Sequence, residues 1–508
     1  MKQRNGSSVT RPVPERDPAA VVAAACLILL SGCAKNPVTG HRQLMLISEQ
    51  QEFAIGEGAD KEVRQEYGSY LDSPSLRSYV DGVGNSLAAK GERPGMVFHF
   101  DVLNSPVINA FALPGGFVYV TRGMLERLSS EDELAMVVGH EIGHVTARHG
   151  AARLSTLYAM QYGTLLGAVI SPTTVGNYGD LINLAMQVGL SKYSRDQEAQ
   201  ADRLGVGYAA EVGYQPKDAV TVMKILKWME GREPGALEKW FLSHPPADER
   251  IADVSSQVRS IEQKDPAVTS RPTRRDDYLK RIDGLIVGLY NGAEMVLKDR
   301  YYNKELAVSL RVPPGWEVNL DPNGALVAMN QKDKQYAFLE ADPMHTSTEP
   351  ADMEREFEKT LKRRGYTRTG GSQKRTGQER IVHLASYSGH TSKGEAIGVL
   401  KGFLVQGKQK WTYTAVCEQS LFAKNREDYE SQLLDLRFMD EAEVARLQPP
   451  RLKVMEAPAG ATWESLSREH LSDPDGAERL AFYNGLDPNT PVAGGMLVKI
   501  PPSLAVKP

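Results

Sequence analysis

The sequence predicts a multidomain chain: a mainly α domain carrying a small β-sheet, then an α+β domain, then a small βααβ module. Three observations predict it. Up to about Ile261 apolar residues recur at helical spacing, interrupted by one alternating stretch at Val97–Val120. From about Gly292 most segments alternate with the period of strands, and Pro449–Pro502 runs strand, helix, helix, strand. The 508 residues suffice for about three cores. A net charge of -4 and a pI near 6.3 give no basis for nucleic-acid binding.

In chain order, residues 1–32 read as a leader. Lys2, Arg4, Arg11 and Arg16 precede the apolar core Ala19–Leu30, which is too short to span a bilayer. It ends in Leu30-Ser31-Gly32-Cys33, which resembles the bacterial lipobox. The resemblance implies an exported lipoprotein, with Cys33 lipidated as the mature N-terminus. Ala34 rather than Asp follows, so a Gram-negative host would sort it to the periplasmic face of the outer membrane. The mature chain would keep only Cys33 and Cys417, so no intrachain disulfide is expected.

Residues 33–263 form the first domain. Ser48–Tyr70 and Ser73–Lys90 have polar-rich helical patterns. Val97–Val120 alternates around the turn Pro114-Gly115-Gly116, predicting a small antiparallel sheet in which Asn109, Ala110 and Phe111 offer an edge strand to an extended substrate. Next, Ser130–Gly150 reads as one helix, with Ser130 as N-cap, Glu133 closing a capping box and Gly150 as a left-handed stop. It contains His140-Glu141-Ile142-Gly143-His144. Helical geometry stacks His140 and His144 one turn apart on one face, where both imidazoles reach one metal ion. Glu141, a quarter-turn away, can act as general base toward water on that metal, which is the arrangement of zincins. His149 falls half a rotation from His140 and is not counted as a ligand.

A third ligand is required. Glu198 and Asp202, spaced i, i+4, share a helix face: Glu198 can ligate while Asp202 hydrogen-bonds a histidine and fixes its tautomer. Asp196 lies on another face. Farther on come Ser243-His244-Pro245-Pro246 and Arg250.

HEIGH, the pattern Ser194-Arg195…Glu198…Ala201-Asp202, Asn109–Gly123 and the His244 segment together resemble one zinc peptidase family. That family includes the CAAX prenyl endopeptidase, the HtpX heat-shock protease and the envelope peptidase BepA; the resemblance covers about Asn36–Ile261. It implies a gluzincin domain holding one Zn2+ per chain on His140, His144 and Glu198, with Glu141 as base and Asp202 supporting a ligand. It places His244 facing the metal, where it could ligate in a self-inhibited state or hydrogen-bond the oxyanion; otherwise it caps the helix at Ala247–Arg259. The implied substrates are misfolded or mis-assembled envelope proteins, and the rival role is a chaperone or assembly scaffold with latent proteolysis. Spanning helices known in membrane relatives are not expected here, because Leu157–Ile170 is too short. A buried or lid-forming helical hairpin reaching Leu190 is expected instead, with an interfacial segment touching lipid as the alternative.

Residues 264–291 read as a Pro- and charge-rich linker running into a helix. In 292–445, strands are expected at Leu306–Val312, Ala325–Met329, Tyr336–Leu339, Ile381–Ser388, Gly394–Gln406 and Lys410–Val416, with helices at Met353–Arg364 and Asn425–Leu436. The opening LAVSLRVPPGWEV resembles small Mog-one/PsbP-like domains, and no catalytic cluster is evident. In 449–503, Gly460-Ala461-Thr462-Trp463, Asn484-Gly485 and Gly495–Pro501 resemble a LysM module lacking its first Asp. That resemblance implies tethering near peptidoglycan, with a small structural cap as the alternative.

Overall fold

The computed structural model describes residues 33–502, apart from 163–184, 187, 190–191, 233–243, 245–247, 321–325, 331–332, 342–348 and 472–475. The leader lies outside the described residues, as does most of the expected hairpin between Leu157 and Leu190. No helix among the described residues is long and apolar enough to cross a membrane.

The first domain opens with the ribbon β1 (Cys33–Lys35) and β2 (Arg42–Leu44), followed by helices α1 (Glu49–Tyr67) and α2 (Pro74–Ala88). Ser48 caps α1 in a full capping box, and Ser73 with Pro74 starts α2. Strands β3 (His99–Leu103), β4 (Ala110–Leu113) and β5 (Phe117–Thr121) form one sheet in the order β3-β5-β4. The expectation of an antiparallel sheet needs correction: β4 pairs antiparallel to β5, but β3 runs parallel to it. β4 is an edge, as the reading of Ala110 and Phe111 supposed, while Asn109 lies just before it. Gly189 comes up against that edge, its would-be β-carbon 3.3 Å from the Ala112 carbonyl oxygen, and Val188 and Ala185 pack with Phe111 and Leu113 in one core cluster.

A short α3 (Arg122–Arg127) leads into α4 (Glu131–Thr146), the helix of the two histidines. Asp132 through Thr146 are all buried, consistent with a helix apolar around most of its circumference. Two expectations about its ends are corrected. Glu133 accepts from the backbone of Ser129, at 2.5 Å, rather than from Ser130. The left-handed residue is Arg148 (φ 56°) and not Gly150; a new helix α5 (His149–Tyr162) begins right after it. Arg148 is held there by hydrogen bonds from its guanidinium to Glu52 (2.9 Å) and to the Ile47 carbonyl (3.0 Å).

Helices α6 (Arg195–Val212), α7 (Asp218–Arg232) and α8 (Asp248–Lys264) pack around α4. The stretch read as a linker running into a helix does contain a helix, and that helix is built into this body. It is α9 (Arg275–Ile282), with Tyr278, Leu279 and Ile282 fully buried in the same core.

The α+β domain holds a seven-stranded antiparallel sheet and a separate four-stranded one. Strands β6 (Glu294–Leu297), β7 (Arg300–Asn303) and β8 (Val308–Arg311) belong to the smaller sheet. The larger contains β9 (Glu317–Leu320), β10 (Leu326–Asn330), β11 (Gln335–Ala341), β12 (Thr367–Arg375), β13 (Ile381–His390), β14 (Ala396–Gln406) and β15 (Gln409–Glu418). α10 (Pro350–Arg363) and α11 (Gln419–Leu434) cover the larger sheet, and β16 (Arg437–Phe438) joins β8. Of these strands, β6, β7, β9, β12 and β16 were not expected. The C-terminal module has the expected order: β17 (Lys453–Glu456), α12 (Trp463–His470), α13 (Ala477–Tyr483) and β18 (Leu497–Ile500), with β17 antiparallel to β18. A short helix at Glu441–Arg446 precedes it.

Candidate metal centre

α4 and α6 approach unusually closely because small residues line both helices. A β-carbon on Gly139 would lie 3.0 Å from the Gly205 carbonyl oxygen, and one on Gly143 3.0 Å from that of Ala201. This contact sets the carboxylates of α6 beside the histidines of α4. Ser194 starts α6 with a capping box, fixing where its first turns begin.

The structure brings together His140, His144, Glu198 and His244, all buried, with one ligand atom of each within 4.8 Å of the others. The Nε2 atoms of His140 and His144 are 3.1 Å apart. Glu198 Oε2 lies 3.6 Å from the first and Oε1 3.4 Å from the second. With metal–ligand bonds of 2.0–2.2 Å, the edge of a tetrahedron is roughly 3.3–3.6 Å, so the two Nε2 atoms and the Glu198 carboxylate together outline one face of a tetrahedral zinc site. His244 Nδ1, 3.2 Å from His140 Nε2 and 3.1 Å from Glu198 Oε1, stands near the fourth corner. Two neutral imidazoles and one carboxylate are a donor set that suits zinc.

Electrostatics favour ligation. Burial drives the His144 pKa well below its ordinary value, leaving the neutral ring a metal requires. Burial opposes ionisation of Glu198, but His244, His144 and His140 overcome it and hold the carboxyl well below the usual range. Asp202 accepts from His140 Nδ1 at 2.9 Å, fixing the tautomer that leaves Nε2 bare.

Glu141 is 1% exposed, and Oε1 lies 3.4 Å from His244 Nε2 with no hydrogen-bond donor among the described residues. Burial raises its pKa, partly offset by the nearby His244 and His140 and by the Ala112 N–H of the β4 edge, which donates to the carboxylate. A desolvated, anchored carboxylate with an open oxygen is suited to receive a proton.

Sequence reasoning assigned no role to three further residues. Arg250 donates to both oxygens of Asp202 at 2.8 Å and approaches Glu198 Oε2 at 2.8 Å. Tyr193, fully buried, stacks on the His144 ring with centroids 3.9 Å apart. His149, set aside as a ligand, does not ligate but touches His144, Nδ1 to Nδ1, at 2.9 Å. Arg250 stood in a quoted motif; Tyr193 and His149 carried no periodic signal. Asn109 Oδ1 is buried without a partner among the described residues. Cys33 lies in β1, far along the chain from these groups, and the buried Cys417 is a free thiol.

Comparison with known proteins agrees with this geometry. Residues 74–258 match peptidase family M48. The chain is 29% identical over 267 residues to a beta-barrel assembly-enhancing protease of Yersinia pestis, covering 51% of this chain and 53% of that protein. It is 29% identical over 232 residues to the mitochondrial metalloendopeptidase OMA1 of Schizosaccharomyces pombe, covering 45% and 67%. The chain thus spans about half the length of the bacterial relative. The solved structure of cyanobacterial PsbP from Synechocystis aligns to 30% of this chain and 98% of its own, at 10% identity and a TM-score of 0.23. The segment from 74 to 258, which carries every residue of the metal centre, is thus the part of the chain that matches peptidase family M48.

Proposed function

We propose that this chain is a zinc-dependent endopeptidase of the bacterial cell envelope, anchored by lipid on Cys33 and cleaving misfolded or mis-assembled envelope proteins. The observation that carries the reading is the triangle of His140, His144 and Glu198 ligand atoms with Glu141 beside it. Bound zinc would supply Lewis acidity to the scissile carbonyl and to water. Glu141 then accepts a proton from the attacking water and returns it to the leaving amine. The β4 edge at Ala110–Leu113 lies beside Glu141, where an added strand of substrate would be oriented. His244 would hydrogen-bond the developing oxyanion once displaced from its present place. Tethering of the C-terminal module to peptidoglycan and a partner-binding role for the α+β domain belong to the same proposal.

A second reading has its own observation. His244 stands where a fourth ligand would, and Gly189 lies against the Ala112 carbonyl at the β4 edge, an arrangement that obstructs substrate. This favours a scaffold or chaperone with latent proteolysis. Metal content and casein cleavage, measured in parallel for wild type, Glu141→Gln and His244→Ala, separate the two. The enzyme reading expects stoichiometric zinc in wild type and in Glu141→Gln, with cleavage lost only in the latter. Cleavage that appears only in His244→Ala supports latency. Full cleavage by Glu141→Gln would remove the assigned base.

A further inference from the structure

We infer that His149 is a positioning residue for the ligand His144, holding it through a hydrogen-bond chain that ends on Gln200. The inference rests on the zinc reading and deepens it. Its warrant is proton placement. A histidine offering Nε2 to a metal carries its remaining proton on Nδ1 and needs an acceptor there. For His140 the acceptor is Asp202. At His144 a second imidazole takes that place: His149 Nδ1, 2.9 Å away. Two protonated nitrogens cannot share that distance, so His149 presents a bare Nδ1 and carries its proton on Nε2. There Gln200 Oε1 lies 3.1 Å away and accepts. Both ring donors, His144 Nδ1 and His149 Nε2, meet an acceptor, with one tautomer at each ring.

The backbone is arranged to produce this contact. In an uninterrupted helix His149 would point well away from His144. The left-handed Arg148 ends α4, and His149 opens α5 with its ring turned back onto His144. The ring is 2% exposed. Gln200 lies on α6 midway between Glu198 and Asp202. One helix thereby supplies the third ligand, the anchor of His140 and, through His149, the anchor of His144.

The test uses the full chain, with zinc affinity read by chelator competition and site geometry by the visible spectrum of the cobalt-substituted protein. His149→Leu should bind zinc 10–100-fold more weakly and shift the cobalt bands, the size expected on losing such a support. His149→Asn, whose Oδ1 can accept where Nδ1 did, should recover most of the affinity. Gln200→Leu should fall between. Wild-type affinity and an unchanged cobalt spectrum in His149→Leu would overturn the inference, as would equal losses in His149→Asn and His149→Leu. If His149→Leu does not fold, Gln200→Leu decides: weakened zinc supports the chain and wild-type affinity overturns it. Wild-type protein that binds no zinc would instead overturn the zinc reading itself.

Discussion

Gly205 stands against His140 with no room for a side chain: a β-carbon there would lie 2.6 Å from the histidine backbone nitrogen. The separation of α4 and α6, and hence the reach of Glu198 to the paired imidazoles, depends on that hydrogen. Gly205→Ala should push the helices apart, costing about 1–3 kcal/mol of stability as overpacking does, and should weaken zinc binding. Gly207, two residues on, has nothing within 4 Å of its would-be β-carbon. Gly207→Ala should therefore be neutral, or stabilising by roughly 0.5–1 kcal/mol as an improved helix former. Thermal unfolding and chelator competition on the two variants check this; equal behaviour would refute the close-approach argument.

Arg250 spreads one guanidinium over two carboxylates, Asp202 and Glu198. Lysine keeps the charge but cannot form the fork. Arg250→Lys should leave Asp202 less firmly fixed, lowering zinc affinity by about tenfold, the low end for supports of a metal ligand. The readout is the zinc dissociation constant, with circular dichroism as the folding control. A folded Arg250→Lys with unchanged affinity would reduce Arg250 to charge balance.

What the sequence discloses and what it hides follow from the range of the interactions involved. The stacking of His140 on His144, and of Glu198 with Asp202, is local helix geometry and needs no knowledge of the rest of the fold. The end of α4 is different. Glycine at 150 is the local choice for a left-handed residue, but Arg148 takes that conformation because Glu52 and Ile47, about a hundred residues earlier, hold its guanidinium. That displacement is also what delivers His149 to His144, so one misplaced helix end concealed one supporting residue. The parallel pairing of β3 with β5 depends on where the intervening chain returns, which alternation does not encode. β12, Thr367–Arg375, is largely exposed and polar on both faces and so carries no apolar alternation to find.

Asp218 links the site's scaffold to pH. Burial, with the neighbouring charge of Asp132, raises its carboxyl to about 6, against partial relief from the Ser130 hydroxyl donating at 3.2 Å. A carboxyl raised in the folded state is easier to ionise when unfolded. The cost of folding is therefore absent below the ordinary pKa near 4, grows as pH rises toward 6 and is complete above it. The full shift corresponds to about 3 kcal/mol as an upper figure. Asp218→Asn should match wild type near pH 4 and exceed its stability increasingly up to pH 7. Denaturant midpoints of both proteins across that range provide the measurement, and a difference independent of pH would count against the ionisation argument.

Lys499 ties the C-terminal module to the peptidase domain. Its ammonium is fully buried and donates to the carbonyl oxygens of Glu126 (2.8 Å), Arg127 (3.1 Å) and Leu128 (2.6 Å) at the end of α3. Tyr483 donates to Glu126 at 2.8 Å, and Arg275 of α9 donates to the Asn484 carbonyl at 2.8 Å. These contacts lie one short turn before the N-cap of α4, so the module braces the start of the helix that carries both histidines. Burial drives the Lys499 pKa well down, which the nearby charges of Glu133 and Glu126 only partly offset. Lys499→Met keeps the length of the side chain but leaves three carbonyl groups without their donor, at about 1–3 kcal/mol for each left buried and unpaired. Calorimetry of Lys499→Met should show the peptidase domain and the module losing stability together, with zinc released at the lower temperature. If the module melted alone while the zinc-bearing domain kept its transition, the two would be tethered neighbours rather than one mechanical unit, and the brace on α4 would have to be sought elsewhere.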